Sequence, residues 1–347
     1  MVTTIGIDPH KATHTAVAVE GSEEVIGELT VRADRSQTPN LVGWAEGLNG
    51  GDRVWAIESA GGLGYLLAQQ LLAAGERVVD VPAVLAARVR VLGSGKSDKN
   101  DPNDARSVAI AALRQPALTP VRREDHQMVL RMLSKRHLEL TSLRTQAICR
   151  LHAVLATLRP GGMPSLRSRL SVKQAARLLG GMRLVTPTEE QRKGIARQHL
   201  ADVRRLDKEI ATNKQRIKAA VVASGTTLVD IRGVGPIVAG FVIGYTGDIA
   251  RFETADRYAA YNGTAPIEVS SGGKIRHRLS LRGNRKINHA IHMAAVAQIR
   301  HPSPGRTYYD KKQAEGKSKK EALRALKRRL SDTIYHQLVT DQQRATK

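Results

Sequence analysis

Two acidic residues each close a short apolar run: Asp8 ends Ile5-Gly6-Ile7-Asp8, and Glu58 ends Val54-Trp55-Ala56-Ile57-Glu58. If these runs are neighbouring strands, both carboxylates reach one edge of a sheet, where open α/β folds usually place their sites. Asp101 and Asp104 stand three residues apart at the start of a helix, in Lys99-Asn100-Asp101-Pro102-Asn103-Asp104-Ala105-Arg106, and share a face. Each acid has an ordinary explanation: Asp101 before Pro102 reads as an N-cap, Asp104 as a complement to the helix dipole, and Asp8 as a turn residue. Taken together they are the set of three or four carboxylates that holds two divalent ions for phosphoryl transfer on DNA. The expected ion is Mg²⁺, with Mn²⁺ as its substitute.

A second chemical candidate lies far along the chain. Ser270-Ser271-Gly272-Gly273-Lys274-Ile275-Arg276-His277-Arg278 is followed by Arg282-Gly283-Asn284-Arg285-Lys286, and no acidic residue occurs from Val269 to Tyr309. A serine attacking a phosphodiester needs nearby cations to lower its pKa and neutralise the transition state, and this loop supplies them. The commoner role of such a loop is to touch phosphate through hydroxyls and amides. Upstream, Leu228 to Ala239 reads as a helix, a tight Gly233-Val234-Gly235 turn and a second helix, a hairpin whose amides face a phosphate; a plain helix–helix turn is the alternative.

Charge supports a polyanionic partner. The 347 residues carry a net +23, unevenly spread: residues 1–108 hold 10 Lys and Arg against 14 Asp and Glu, and residues 109–347 hold 45 against 18, a net +27. Nucleic acid is the leading partner for the basic part, whereas the acidic part can approach phosphate only through bridging cations. A single cysteine, Cys149, excludes an intrachain disulfide and a Cys-rich zinc cluster, and points to a reducing compartment. The opening MVTTIGIDPH lacks signal-peptide features, and the apolar stretch Ile237 to Tyr245 is too short to span a bilayer. A soluble intracellular protein with no membrane partner is expected.

These residues must be positioned by three regions. Over residues 1–115, apolar runs Val2–Ile7, His14–Val19, Val25–Val31, Val54–Ile57 and Val78–Val81 alternate with helical runs, including Leu63–Ala74. Three quick strands followed by strand–helix alternation is the order of a ribonuclease-H-like sheet; a doubly wound sheet reads similarly. Residues 116–225 form a helical region. Glu124 to Leu158 has no Gly or Pro and predicts one helix of roughly 50 Å. A second helix after Pro187 carries a heptad seam of Val203, Leu206, Ile210, Asn213, Ile217 and Ala220. The pair is either two bundle helices within one chain or an antiparallel coiled-coil arm for dimerisation, with Asn213 suited to fix register. Residues 226–347 form the third region, mainly helical, closed by a basic amphipathic helix from Lys317 to Leu338 with Leu323, Leu326, Leu330 and Ile334 on one side and solvated Lys and Arg on the other.

The ordered set of motifs resembles the DEDD transposases of the insertion-sequence family numbered one hundred and ten, together with the Piv-type DNA invertases. It rests on Gly6-Ile7-Asp8, Ile57-Glu58 with a following Gly and Tyr65, Lys99-x-Asp101-x-x-Asp104-Ala105-Arg106, Ile231-x-Gly233-Val234-Gly235, Gly247-Asp248-Ile249-x-Arg251-Phe252, and Pro266 leading to Ser271-Gly272. The resemblance implies a RuvC-like N-terminal domain whose Asp8, Glu58, Asp101 and Asp104 bind Mg²⁺, a coiled-coil arm, and a C-terminal transposase domain with a helix-hairpin-helix-like turn. It implies that Ser271, the serine directly before the glycine, joins covalently to a DNA phosphate, with strand exchange through a junction intermediate. It further implies DNA partners at element ends and target, a structured non-coding RNA guide, a homodimer or homotetramer, and a bacterial, nucleoid-associated setting. Gly233, Gly235, Lys274, Arg276, Arg278, Arg282, Arg285 and Lys286 are the expected nucleic-acid contacts. The chain departs from the pattern in its longer spacing from Glu58 to Tyr65, in Asn100 where Thr is usual, and in Arg232 where Pro is usual. Two other readings compete: a junction-resolving nuclease that activates water with the same acids, and a non-catalytic nucleic-acid-binding protein.

Overall fold

The computed structural model describes residues 2–48, 51–94, 100–115, 117–159, 172–183, 185–268, 277–279 and 283–345. The chain divides into two compact units, Met1–Glu124 and Asp125–Lys347.

In the first unit the alternating runs become β1 (Thr3–Pro9), β2 (Thr13–Val19), β3 (Val25–Arg32), α1 (Gln37–Glu46), β4 (Arg53–Glu58), α2 (Tyr65–Ala73), β5 (Val78–Val81), α3 (Ala83–Ser94), α4 (Asp101–Arg114) and β6 (Thr119–Pro120). The strands form one sheet in the order β3-β2-β1-β4-β5-β6. β1 to β3 form an antiparallel meander, β4 and β5 run parallel to β1, and β6 is antiparallel. This mixed order is ribonuclease-H-like; a doubly wound sheet has no opening meander. α2 begins at Tyr65, two residues later than the apolar run suggests, because residues 59–64 turn back after β4.

The two-residue period of the strands sorts side chains to the two faces. Ile5, Ile7, Ala16, Ala18, Trp55 and Ile57 point to one core with Leu41, Leu67 and Leu71 of α1 and α2. The residues between them face the other way: Val17 and Val19 pack with Ala105 and Ala109 of α4, and Ala56 packs with Val108 and Ala111. Gly6 lies on this second face, so close beneath α4 that a Cβ there would come 2.1 Å from the Ala105 carbonyl oxygen. Asp8 and Glu58 share the period of Gly6 and Ala56, and are therefore turned toward α4.

The second unit opens with α5 (His126–Leu158), capped by the Asp125 carboxylate on the amides of Gln127 and Met128. After α6 (Val172–Gly181) comes α7 (Pro187–Ala223), started by a capping box of Thr186 and Glu189. α5 and α7 pack antiparallel: Leu151 and Leu155 meet Ala196 and Leu200, Leu140 and Ala147 meet Val203, Leu206 and Ile210, and Leu130 meets Ile217. The heptad seam is thus buried on α5 of the same chain, and Asn213 donates from Nδ2 to the Leu133 carbonyl at 3.0 Å. Such a bond fixes one register, because any slip leaves a buried amide unpaired.

The remainder comprises α8 (Pro236–Thr246), α9 (Ala255–Asn262), the short pair β7 (Pro266–Glu268) and β8 (His277–Leu279), α10 (Arg285–Ile299), α11 (Pro304–Ala314) and α12 (Lys319–Ala345). Its core joins Phe241, Tyr258, Ile287, Ile291, Leu326, Leu330 and Ile334 to Leu130 and Ile217 of the long helices. Two expectations are corrected here. A single 3₁₀ turn, Leu228–Asp230, precedes Gly233 in place of a helix, since Asp341 ties down the amide and hydroxyl of Thr227 and the hydroxyl of Thr226. Not every lysine of the basic closing helix is solvated, since Lys327 lies on its apolar side and is buried.

Candidate metal centre and nucleic-acid interface

β1 and β4 are adjacent and parallel, with Ile7 opposite Ile57, so Asp8 and Glu58 end neighbouring strands on the face covered by α4. The first turn of α4 brings Asp101 and Asp104 to the same place. Its N-cap is Asn100, whose side chain accepts from the Asn103 amide, and not Asp101 as the Asp-Pro pair suggests. Capping by Asn100 leaves the Asp101 carboxylate exposed and uncommitted to the helix end. Asp104 pairs with Arg90 on α3.

Asp8 is the electrostatic centre of the group. It is 7% exposed, and its pKa is pushed up from 3.8 to about 6 by desolvation; His10 opposes the rise, and Glu58, Asp104 and Asp101 add to it. All three other acids therefore act on Asp8, as convergence at one edge requires. The ligand atoms of Asp8, His10 and Asp101 lie within 4.8 Å of one another, with His10 Nδ1 3.7 Å from Asp8 Oδ2. His10 is held there by the β1–β2 turn, its amide donating to the Thr13 carbonyl at 2.9 Å. Sequence reading missed His10 and Arg90; His10 carries the weak signal of standing two residues from Asp8 in a short turn. At the end of β4, Ser59 adopts a left-handed φ of 49°, and the Ala60 amide donates to Asp80 Oδ1 at 2.7 Å, which bends the chain sharply behind Glu58.

Hard carboxylate oxygens with an imidazole beside them suit a divalent cation, which Asp8, His10 and Asp101 could hold. The raised pKa of Asp8 gives the metal-free protein a specific pH dependence. A carboxylate whose folded pKa exceeds its unfolded one contributes stability below the unfolded value, and that contribution is lost as pH rises through the folded value. Urea melts in EDTA are therefore expected to lose on the order of 2 kcal/mol between about pH 4 and 6.5, a slope that Asp8→Asn removes. A slope unchanged in Asp8→Asn would show that Asp8 ionises without penalty.

In the second unit, Arg285 and Lys286 stand exposed at the start of α10, with Lys286 Nζ 4.9 Å from the centre of the Tyr245 ring. Arg278 lies in β8, and Ser271, Lys274, Arg276 and Arg282 lie outside the described residues. Gly233 has a φ of 85°, and a Cβ there would come 2.6 Å from the Ala294 carbonyl oxygen, so the glycine serves close approach to α10. Gly235 caps α8 ahead of Pro236, with open space where its Cβ would be. Among the described residues, no helix is long and apolar enough to cross a membrane.

Residues 5–160 match the DEDD transposase family of IS110, and residues 225–310 match the transposase IS116/IS110/IS902 family. The chain is 26% identical to a protein of insertion element IS116 of Streptomyces clavuligerus, over 96% of this chain and 94% of that one. It is 27% identical to a protein of insertion element IS900 of Mycobacterium paratuberculosis, with the same coverage of 96% and 94%. Among solved structures, RuvC of Thermus thermophilus in complex with a Holliday junction aligns with 35% of this chain and 100% of its own, at 13% identity and a TM-score of 0.28. With family matches at both ends and the acids of its N-terminal half gathered at one sheet edge, the chain belongs to the IS110 family of DEDD transposases and is a DNA transposase.

Proposed function

We propose that this transposase cuts and rejoins DNA by combining the acidic centre of its first unit with a serine nucleophile, Ser271, in its second. The observation that carries the reading is the convergence of Glu58, Asp101 and Asp104 on the buried Asp8 at the ends of two adjacent parallel strands. Divalent ions bound there would supply positive charge to the reacting phosphate. Asp8 would hold such an ion from the buried side and Asp101 from the exposed side, while Arg90 pairs with Asp104.

In the covalent step, Ser271 Oγ forms a bond to phosphorus as the bond from phosphorus to one sugar oxygen breaks. The serine proton is lost to solvent or a base, and the departing sugar oxygen takes one up. Attack by the hydroxyl of a second strand reverses the step and frees Ser271. Lys274, Arg276, Arg278, Arg282, Arg285 and Lys286 neutralise the phosphate, and amides at Gly233 and Gly235 position the backbone. The net +27 of residues 109–347 suits a structured guide RNA as well as DNA at element ends and target. We also propose that α5 and α7 serve as a coiled-coil arm in a homodimer or homotetramer, and that the protein works at the nucleoid of a bacterial cell.

The test incubates the protein with labelled element-end DNA, the non-coding RNA of its element and Mg²⁺, and resolves products on a denaturing gel. A protein–DNA adduct is expected with the wild type and none with Ser271→Ala, whose joining falls by roughly a thousandfold or more. Strand breaks without an adduct in either protein would instead mark a nuclease that uses water, and would reduce Ser271 to a phosphate contact.

A further inference from the structure

Lys327, on α12, is 8% exposed, and its ammonium makes one hydrogen bond, from Nζ to Asn288 Oδ1 of α10 at 2.6 Å. Among the described residues no carboxylate pairs with it. The acids of its own helix are committed elsewhere: Glu321 accepts from the amide and hydroxyl of Ser318, Asp332 pairs with Arg328, and Asp341 holds Thr226 and Thr227. α10 has no acid to offer. The charged groups that act on Lys327 are Arg285 and Arg324, both cationic, and Lys327 in turn acts on His292. Desolvation first, then these two arginines, lower its pKa to about 8, which leaves it mostly protonated at neutral pH.

A buried ammonium with one hydrogen bond and, among the described residues, no carboxylate paired with it is costly, and a neutral side chain would bridge the helices at lower cost. The surrounding polar network shows where that charge is held. Asn288 Nδ2 donates to the Asn262 carbonyl at 2.9 Å, Asn262 Nδ2 donates to Ser331 Oγ at 2.7 Å, and Asn262 Oδ1 accepts from the Thr264 amide and hydroxyl. The Asn284 amide donates to the Tyr261 carbonyl at 2.6 Å. Residues 261–264 and 283–284 flank β7 and β8, so Lys327 is tied through Asn288 to the base of the acid-free stretch of the chain.

We propose that Lys327, together with Arg285 and Arg324, forms a phosphate site at the root of the β7–β8 hairpin that takes a phosphodiester of a bound nucleic-acid strand. The bound phosphate gives Lys327 the anion that it lacks among the described residues, and it accepts the two hydrogen bonds Asn288 leaves unused. The site rests on the reading of this unit as nucleic-acid-binding and is independent of Ser271.

The test compares the wild type with Lys327→Met and the charge-keeping Lys327→Arg in thermal melts with and without inorganic phosphate. The same proteins are titrated with an element-end DNA duplex and with an RNA hairpin over a range of salt. Phosphate is expected to raise the melting temperature of the wild type and not that of Lys327→Met, which without phosphate melts at or above the wild type. Binding by Lys327→Met is expected to weaken about tenfold, its salt slope falling by about one, while Lys327→Arg keeps the slope. Weakening confined to the duplex names DNA as the source of the phosphate, and weakening confined to the hairpin names RNA. An unchanged slope with both ligands, or a Lys327→Met protein that melts well below the wild type, overturns the site and makes the ammonium a structural tie. A wild type that bound neither nucleic acid would remove the wider reading, and the phosphate melts would still decide the site.

Discussion

Asp8→Asn is expected to lower DNA strand cleavage by roughly a thousandfold, about 4 kcal/mol of barrier, while leaving the protein as stable as before or more so. The two halves of this result have one cause. Asp8 is the one of the four acids that is buried, and its charge is opposed by desolvation and by Glu58, Asp104 and Asp101. In the metal-free protein that opposition destabilises the ionised side chain, and asparagine, of the same shape and neutral, removes it. A divalent cation bound there would reverse the balance, because the repulsion among the carboxylates would become the field that holds it. Calorimetric titration with Mn²⁺ should therefore show binding to the wild type and little to Asp8→Asn, beside urea melts that favour the variant at pH 7. An Asp8→Asn protein that unfolds readily would show that the carboxylate is structural, and one that cleaves at the wild-type rate would place the chemistry elsewhere.

Gly6→Val is expected to destabilise the first unit by more than about 3 kcal/mol, at the upper end of overpacking effects. The Cβ position of Gly6 lies 2.1 Å from the Ala105 carbonyl oxygen and 2.4 Å from the Ala109 amide nitrogen, and both are helix backbone that cannot swing aside. Any side chain at position 6 must lift α4 from the sheet. That movement exposes Ala105, Ala109, Val17 and Val19, and it also carries Asp101 and Asp104 away from Asp8. Loss of Mn²⁺ binding should thus accompany the loss of stability in urea melts. A variant with near-wild-type stability would mean that α4 can slide without cost, and the close contact would not be what registers the acids.

Much of the site was legible because short-range physics dictates it. Asp8 and Glu58 end apolar runs, and an acid at a strand end stays at the sheet edge wherever the strand is placed. The long helices were legible for a similar reason: from Glu124 to Leu158 nothing interrupts the chain, and the α7 seam repeats at heptad steps. His10, Arg90 and Lys327 were not legible, since each owes its role to a neighbour distant in the chain. Lys327 reads as one more lysine on a basic face until α10 closes over it and leaves it without a carboxylate. Which of Asn100 and Asp101 caps α4 was not legible, because either side chain of Asn-Asp-Pro could reach back to the helix amides, and it is Asn100 that accepts from the Asn103 amide.

The sequence by itself therefore determined much of the inventory: the first five strands and the two long helices, that acids end two of the strands and open one helix, and that the charge divides between an acidic first part and a basic remainder. The tertiary structure decided which of these groups meet. The β1–β4 pairing and the glycine contact beneath α4 bring Glu58, Asp101 and Asp104 into the electrostatic reach of Asp8, because strand order and helix registration are set by packing between residues that local propensity cannot relate.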